Sequence, residues 1–363
     1  MAKTNRNRTN STSRRRAHDR ANVITADNDN YSEALSDIVP KEYRGSDRYL
    51  DVIQWNIEWF GAAKSRSKDA RRFALVQQIL QTLNADLFIF QEIAGPSPDG
   101  RREGVLDPIA RALTETGAGD YAVDYTLAGG EQRVAMMWDR DWIRAKDDVK
   151  ELFPKGTHKM PGGQADAFAG RTPLYGYFTA RIPIDLDDIA PNPTGGLEKF
   201  DFQALGVHLK AMADGAPQRE ESARVLAAWL QNEALVTDND TLIMGDFNAP
   251  PGDKCWDPFA ALENAPNSKV KFRSINDPSD FSYMWLANRT TKFTSKIDLA
   301  VISLASADQI VGKPAQVVRW KPIQDVIAET GDMTKAEVVA VLREMKETIS
   351  DHLPVLHRFY LTQ

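Results

Sequence analysis

Apolar positions along this chain follow two rhythms. Short runs rich in Val, Ile, Phe and Leu, bounded by Gly, Pro, Asn or Asp, read as strands over residues 50–55, 86–90, 121–126, 133–138, 174–182, 202–208, 241–246, 297–302 and 354–360. Between them the spacing changes to that of a helix. Over 71–83 it puts Phe73, Val76, Leu80 and Leu83 on one face, and over 218–231 it aligns Val225, Leu226, Trp229 and Leu230. Pro217 stands where a first helical turn accepts proline. A third helix is expected from Thr334, which has the capping-box spacing to Glu337; its apolar face would be Val338, Leu342 and Met345. Residues 156–170 and 183–196, dense in Gly and Pro, read as loops. Neither a linker nor an internal repeat interrupts this alternation. The pattern predicts one α/β domain over residues 49–363 behind a polar tail, 1–48.

Composition and charge narrow the class. A chain of 363 residues that is 42% hydrophobic and 26% charged is neither collagen-like, low-complexity nor disordered as a whole. It has no apolar run near the ~18 residues that a membrane span requires. Residues 1–20 lack the apolar centre of a secretory signal, so a cytoplasmic location is expected. The single cysteine, Cys255, excludes an internal disulfide framework and a cysteine-rich metal site. Charge is uneven. Residues 1–20 carry seven basic side chains against Asp19, a net +6, which leaves −12 on the rest of a chain whose total is −6. The tail reads as a disordered basic arm. Such an arm is drawn to polyphosphate, although a solvated tail with no task has the same composition.

Chemistry gathers at the strand ends. The first strand runs into Asn56 and an aromatic turn, the second into Gln91-Glu92, the 202–208 strand into His208 with Lys210 beyond it. The 241–246 strand ends in Gly245-Asp246-Phe247-Asn248; Asp298 and Ser350-Asp351-His352 follow. Taken singly, an Asp or Asn at a strand end is a turn residue, and His18, His158 and His357 are read as surface or core groups. Taken together, they form a set. Asn56, Glu92 and Asp351 are hard oxygen donors suited to Mg²⁺ or Mn²⁺. Two histidines and further aspartates add acid–base capacity, as metal-assisted attack of water on a phosphate ester requires.

In identity and order these motifs resemble the endonuclease/exonuclease/phosphatase superfamily, the deoxyribonuclease I-like group. The matching segments are Gln54-Trp55-Asn56-Ile57-Glu58-Trp59-Phe60, Phe90-Gln91-Glu92, Arg171-Thr172-Pro173, Val207-His208-Leu209, Gly245-Asp246-Phe247-Asn248, Ile297-Asp298 and Ser350-Asp351-His352. The resemblance implies an α/β (α+β) fold, a four-layer sandwich of two mixed β-sheets flanked by helices. It also implies one phosphoesterase site at the strand ends. Carried over position by position, Glu92 would bind the cation with Asn56 and Asp351 close by. His352 would be general base or phosphate ligand, oriented by Asp298. His208 would protonate the leaving oxygen or grip the phosphate. Asp246 would position or activate the water, Asn248 would hold the phosphate, and Arg171 would contact a non-bridging oxygen. Lys210 is read as a second phosphate contact, evenly balanced against a solvated lysine.

Departures from the family pattern select a branch. The lysine that follows the Gln-Glu pair in abasic-site endonucleases is absent from Gln91-Glu92-Ile93-Ala94-Gly95. Met244 stands where inositol-polyphosphate phosphatases carry Trp, and Thr294-Ser295-Lys296-Ile297-Asp298 lacks their signature. The bacterial nuclease-like branch remains. It implies a Mg²⁺-dependent nuclease (Mn²⁺ as the alternative ion) acting on nucleic acid, DNA before RNA, with water activated through an Asp/His pair; no protein partner is inferred. A phosphodiesterase or phosphatase of a lipid or small phosphoester, and a non-catalytic nucleic-acid-binding module, are the alternatives. About 50 residues separate Asp298 from Asp351, longer than a typical loop. Residues 311–347 are therefore read as a helical insertion, an embellishment in preference to a substrate-side lid.

Overall fold

The predicted strands assemble into two sheets stacked face to face. The computed structural model describes residues 38–46, 49–62, 70–163, 165–181, 199–273, 281–284, 295–303, 315–330 and 336–360. The strands are β1 (Tyr49–Phe60), β2 (Leu87–Ile93), β3 (Tyr121–Tyr125), β4 (Arg133–Asp139), β5 (Ile143–Ala145), β6 (Lys150–Glu151), β7 (Leu174–Arg181), β8 (Lys199–His208), β9 (Thr241–Asp246), β10 (Val270–Arg273), β11 (Asp298–Ser303), β12 (Gln316–Val317) and β13 (Val355–Tyr360). The first sheet has the order β12-β13-β1-β2-β4-β3; the second runs β10-β11-β9-β8-β7-β5, with β6 also pairing β7. Both are mixed: β1 lies parallel to β2 and β8 parallel to β9, and the other pairings are antiparallel.

Strand periodicity decides which residues meet. Leu50, Val52, Leu87, Ile89, Val134 and Met136 face Phe178, Phe202, Ala204, Leu242, Met244, Ala300 and Ile302 in a buried layer between the sheets. The alternate residues, Ile53, Trp55, Phe88, Phe90, Leu205, Val207, Ile243 and Val301, are buried with the helices. Among these are α1 (Ala70–Leu83), α2 (Asp107–Glu115), α3 (Ala216–Trp229), α4 (Asp257–Glu263), α5 (Lys321–Thr330) and α6 (Ala336–Thr348). The result is the expected four-layer sandwich. At Gly206, a Cβ would meet Ile89 and Val134 of the opposing sheet, so glycine is what allows the sheets to approach there.

The expected helices over 71–83 and 218–231 form as α1 and α3, with Pro217 in the first turn of α3. In α1 the buried face carries Leu75 and Ile79 besides Val76, Leu80 and Leu83, while Phe73 is half-buried and stacks on Phe60. The helices α2 and α4 are 9 and 7 residues long, too short to show a period; each opens on Asp-Pro, a helix-start signal. Packed structure reaches back ahead of Tyr49. Ile38 and Val39 are buried, the Lys321 N–H donates to the Ile38 carbonyl, and the Gly45 N–H donates to the Leu83 carbonyl. Residues 1–37, with the basic arm and His18, and the expected loop 183–196 lie outside the described residues.

The insertion holds more than the single predicted helix. The strand β12 extends the first sheet through Gln316↔Leu356 and Val317↔Val355, and α5 precedes α6. Leu342 and Met345 of α6 are buried as predicted; Thr334 and the Val338 side chain lie outside the described residues. Trp320 packs edge-on against Trp55 at 5.9 Å, which ties the insertion to the central strand β1. Among the described residues, no helix is long and apolar enough to cross a membrane.

Candidate active site

The inter-sheet face that is apolar along most of its length turns polar at one end. By the same alternation that buries Val52, Ala204, Met244 and Ala300, the positions Asn56, His208, Asp246 and Asp298 project between the sheets at the strand ends. The pairings Asp298↔Asp246 and His208↔Asp246 set three of these side by side. Gly245 adopts φ +147°, and a Cβ there would collide with the Val207 carbonyl. Only glycine lets β9 pack against β8 while presenting Asp246.

Glu92 reaches the cluster by a different device. Simple alternation would send it outward with Phe88 and Phe90. Instead the β1–β2 register shifts between Asn56 and Phe60, and Glu58, Trp59 and Glu92 take left-handed backbone conformations at φ +31°, +55° and +60°. Such a bulge re-aims a side chain, and non-glycine residues in this region mark strained functional sites. The Trp59 N–H donates to Glu92 Oε2 at 3.1 Å, and the Glu58 N–H donates to Asn56 Oδ1 at 3.0 Å.

Contacts below 4 Å connect the cluster. Asn56 Nδ2 donates to Asp246 Oδ2 at 3.0 Å. Asp298 Oδ2 is 2.8 Å from His352 Nδ1, and His352 Nε2 lies 3.9 Å from Asp246 Oδ2 and 3.9 Å from Asp351 Oδ1. His208 Nε2 is 3.7 Å from both Glu92 Oε1 and Asp246 Oδ2. Arg171 donates through Nη1 to His208 Nε2 at 2.9 Å and through Nη2 to Gln132 Oε1 at 2.8 Å. Asn248, at φ +52°, donates its backbone N–H to Asp246 Oδ1 and its side-chain amide to the Leu209 carbonyl.

The charge states follow from these neighbours. Burial opposes protonation of His352, yet Asp298, through its charge and hydrogen bond, with Asp246 and Asp351, raises its pKa to about 10. Burial and the Asp298 charge push Asp246 up to about 7, against His352, the Asn248 N–H and Asn56. Burial, then Arg171 and His352, hold His208 well below 6.5, so it is neutral. A guanidinium only donates, so His208 Nε2 is an acceptor and its proton sits on Nδ1, a buried atom without a partner among the described residues. In this arrangement His208 has no proton on Nε2 to give to a leaving oxygen.

Asp246, Asp298 and His352 place one ligand atom each within 4.8 Å of one another, and Asp298 Oδ1 is buried without a hydrogen-bond partner among the described residues. Carboxylate and amide oxygens suit a hard divalent cation, whereas the protonated His352 has no lone pair to offer one. The Asp298–His352 hydrogen bond engages one atom of each partner; Glu92 Oε1, 3.7 Å from His208 Nε2, and Asn56 Oδ1, which also accepts the Glu58 N–H, are further oxygen donors for such an ion. Asp351 is engaged on both sides, by His352 and by Lys346 Nζ at 3.4 Å. The stem of Lys210 packs beside Gly215, and among the described residues its ammonium makes no hydrogen bond to the cluster.

Tertiary structure adds residues that the motifs do not contain. Gln132 holds Arg171; the Tyr283 ring lies 4.7 Å from the His352 imidazole; the Ser282 and Ser350 hydroxyls bind the backbone of Asp298 and His352. Only Ser350 had a sequence signal, as the residue before Asp351-His352. His357, buried against Gln54, and His158, beside Phe153, lie apart from the cluster, in keeping with their structural reading.

Comparison with solved structures gives the same architecture. An endonuclease/exonuclease/phosphatase from Bacteroides vulgatus superposes with a TM-score of 0.54 at 14% identity, covering 86% of this chain and 99% of that one. A humanized D. rerio TDP2 gives 0.50 at 12% identity, covering 86% and 99%, and the human Nocturnin catalytic domain 0.50 at 16%, covering 89% and 99%. At these identities the likeness establishes the fold. No curated protein matches the sequence. A sequence profile of the Endonuclease/Exonuclease/phosphatase family matches residues 53–352, which include every motif residue above, and the chain belongs to that family.

Proposed function

We propose that this protein is a divalent-cation-dependent nuclease that hydrolyses phosphodiester bonds of DNA. The observation that carries the reading is the approach, at 3.9 Å, of His352, held protonated by Asp298, to Asp246, whose carboxyl is raised to near-neutral acidity. Both pKa values are raised, and their order leaves His352 the acid and Asp246 the base at neutral pH. Asp246 takes the proton of the attacking water, since a base with a pKa near 7 works best at neutral pH. His352 donates to a non-bridging phosphoryl oxygen and stabilises the charge that grows there. This favours the phosphate-ligand role of His352 over the general-base role. Arg171, released from His208 by an arriving phosphate, grips a second oxygen through its planar fork. His208 supports Arg171, and Asn248 positions Asp246.

A bound Mg²⁺ or Mn²⁺ ion would neutralise phosphate charge and help the leaving oxygen depart; Glu92 and Asn56 would hold it. The choice of DNA rests on the resemblance of Asn56-Ile57-Glu58-Trp59-Phe60 and His208-Leu209-Lys210 to bacterial nucleases. The test is incubation of the full chain with supercoiled plasmid, linear DNA, RNA and a lipid phosphodiester, with Mg²⁺, Mn²⁺ or EDTA, and H352A alongside. Metal-dependent DNA cleavage lost in H352A is expected. Turnover confined to the lipid substrate, or binding of DNA without cleavage, would overturn the reading.

A further inference from the structure

The helix at the end of the insertion brings a cation to the cluster from outside the family's motifs. Lys346 lies in the last turn of α6, with Nζ 3.4 Å from Asp351 Oδ2. The other oxygen of Asp351 lies 3.9 Å from His352 Nε2. A lysine in a last helical turn is ordinarily a solvated partner of the helix dipole. This one is 23% exposed and its carboxylate partner 11%. Its ammonium also lies 6.0 Å from the centre of the Tyr283 ring, which itself packs on His352. The helix face is fixed: Leu342 and Ile349, four residues before and three after Lys346, are buried.

The sequence resemblance assigns Asp351 to the metal's surroundings, yet this carboxylate already faces a protein cation. A divalent ion placed on Asp351 would stand within a few ångströms of the Lys346 ammonium and be repelled by it. Glu92 and Asn56 join the cluster through His208 and Asp246.

We propose that Lys346 is a positioning residue, a built-in cation that holds Asp351 and takes the place of a second metal ion, so that the site loads a single divalent cation on the Glu92 side. The insertion then acts as part of the site. It completes the charge balance with an ammonium where the motif residues alone would leave an excess of negative charge. The proposal rests on the metal-dependent reading above, and counting bound ions separates the two.

The experiment is Mn²⁺ binding to the full chain, counted by electron paramagnetic resonance and by calorimetry, for wild type, K346R, K346M and K346Q. Circular dichroism reports folding of each variant. One ion is expected in wild type and K346R. Two are expected in K346M and K346Q, the second weaker, with hydrolysis becoming sigmoidal in Mn²⁺ concentration. A merely structural lysine would leave the count unchanged. Two ions in wild type, or one ion in all four proteins, would overturn the proposal while leaving the metal-dependent nuclease intact. The absence of bound ion from every protein would remove that reading and the proposal together. K346Q keeps a polar, hydrogen-bonding side chain, so the count remains available if K346M fails to fold.

Discussion

Replacing Asp298 by Asn tests the charge assignment at its centre. The substitution keeps the shape of the 2.8 Å contact to His352 Nδ1 and removes the charge. Burial acts against protonation of His352, and Asp298 is the foremost of three carboxylates that overcome it and lift the pKa from 6.5 to about 10. At about 1.4 kcal/mol per pKa unit, that lift corresponds to several kcal/mol favouring the imidazolium, shared with Asp246 and Asp351. Without Asp298, only Asp246 and Asp351 oppose the effect of burial, and the His352 pKa should fall. Loss of one charged donor to a developing phosphoryl charge costs roughly 10²–10³ in rate. The amide introduced by D298N also carries no charge against Asp246, whose pKa should fall. Initial rates of plasmid nicking for wild type and D298N between about pH 5 and about pH 10 give both limbs of the profile. Wild type should rise as Asp246 ionises and fall as His352 loses its proton; in D298N both limbs should move to lower pH. A D298N enzyme with wild-type rate and unshifted limbs would refute the reasoning.

The remaining expectations concern metal, scaffold and stability. E92Q should abolish cleavage, by about 10³ or more, with its circular dichroism spectrum retained; it should also remove the Mg²⁺-induced rise in thermal midpoint expected of wild type, and an unchanged rise would exclude Glu92 as a ligand. G245A forces a Cβ onto the Val207 carbonyl at φ +147° and should destabilise the fold by about 2–4 kcal/mol in urea unfolding. A loss below about 0.5 kcal/mol there would contradict the packing described for β8 and β9. In chelator, His352 has a folded-state pKa of about 10 against an ordinary 6.5, and Asp246 about 7 against 3.8. Both raised values favour folding at low pH. The His352 contribution is lost as pH rises from 6.5 through about 10, and that of Asp246 from 3.8 through about 7. The apo protein should therefore lose stability on alkalinisation, and divalent cation should counter the loss; apo stability that is flat or rising over that range would contradict the shifts.

The α/β class, the principal strands and the order of the polar strand ends were legible because they depend on local chemistry. A period of two writes a strand's buried face into the chain, so Asn56, His208, Asp246 and Asp298 were recognisable as residues that end an apolar face. The short elements β5, β6, β10, β12, α2 and α4 were not, because two to nine residues hold too few turns or alternations to rise above the background. The bulge that turns Glu92 inward was equally hidden: its left-handed conformations occur at Glu58, Trp59 and Glu92, none of them glycine. Distance in the chain concealed the rest. Gln132 reaches Arg171 across 39 residues and Tyr283 lies on His352 from a separate segment, so neither carries a local signature.

Lys346 shows the same division within a single residue. Its place in an amphipathic helix was readable from Val338, Leu342 and Met345, and that reading would leave it a solvated lysine. Residue types and their order therefore carried the catalytic vocabulary and the resemblance to the family, and that resemblance implied the layering. Charge states, the tautomer of His208, the aim of Glu92 and the ammonium on Asp351 were decided only when the two sheets and α6 closed on one another. Electrostatic energy at these positions depends on burial and on separations of about 3–4 Å between groups far apart in the chain.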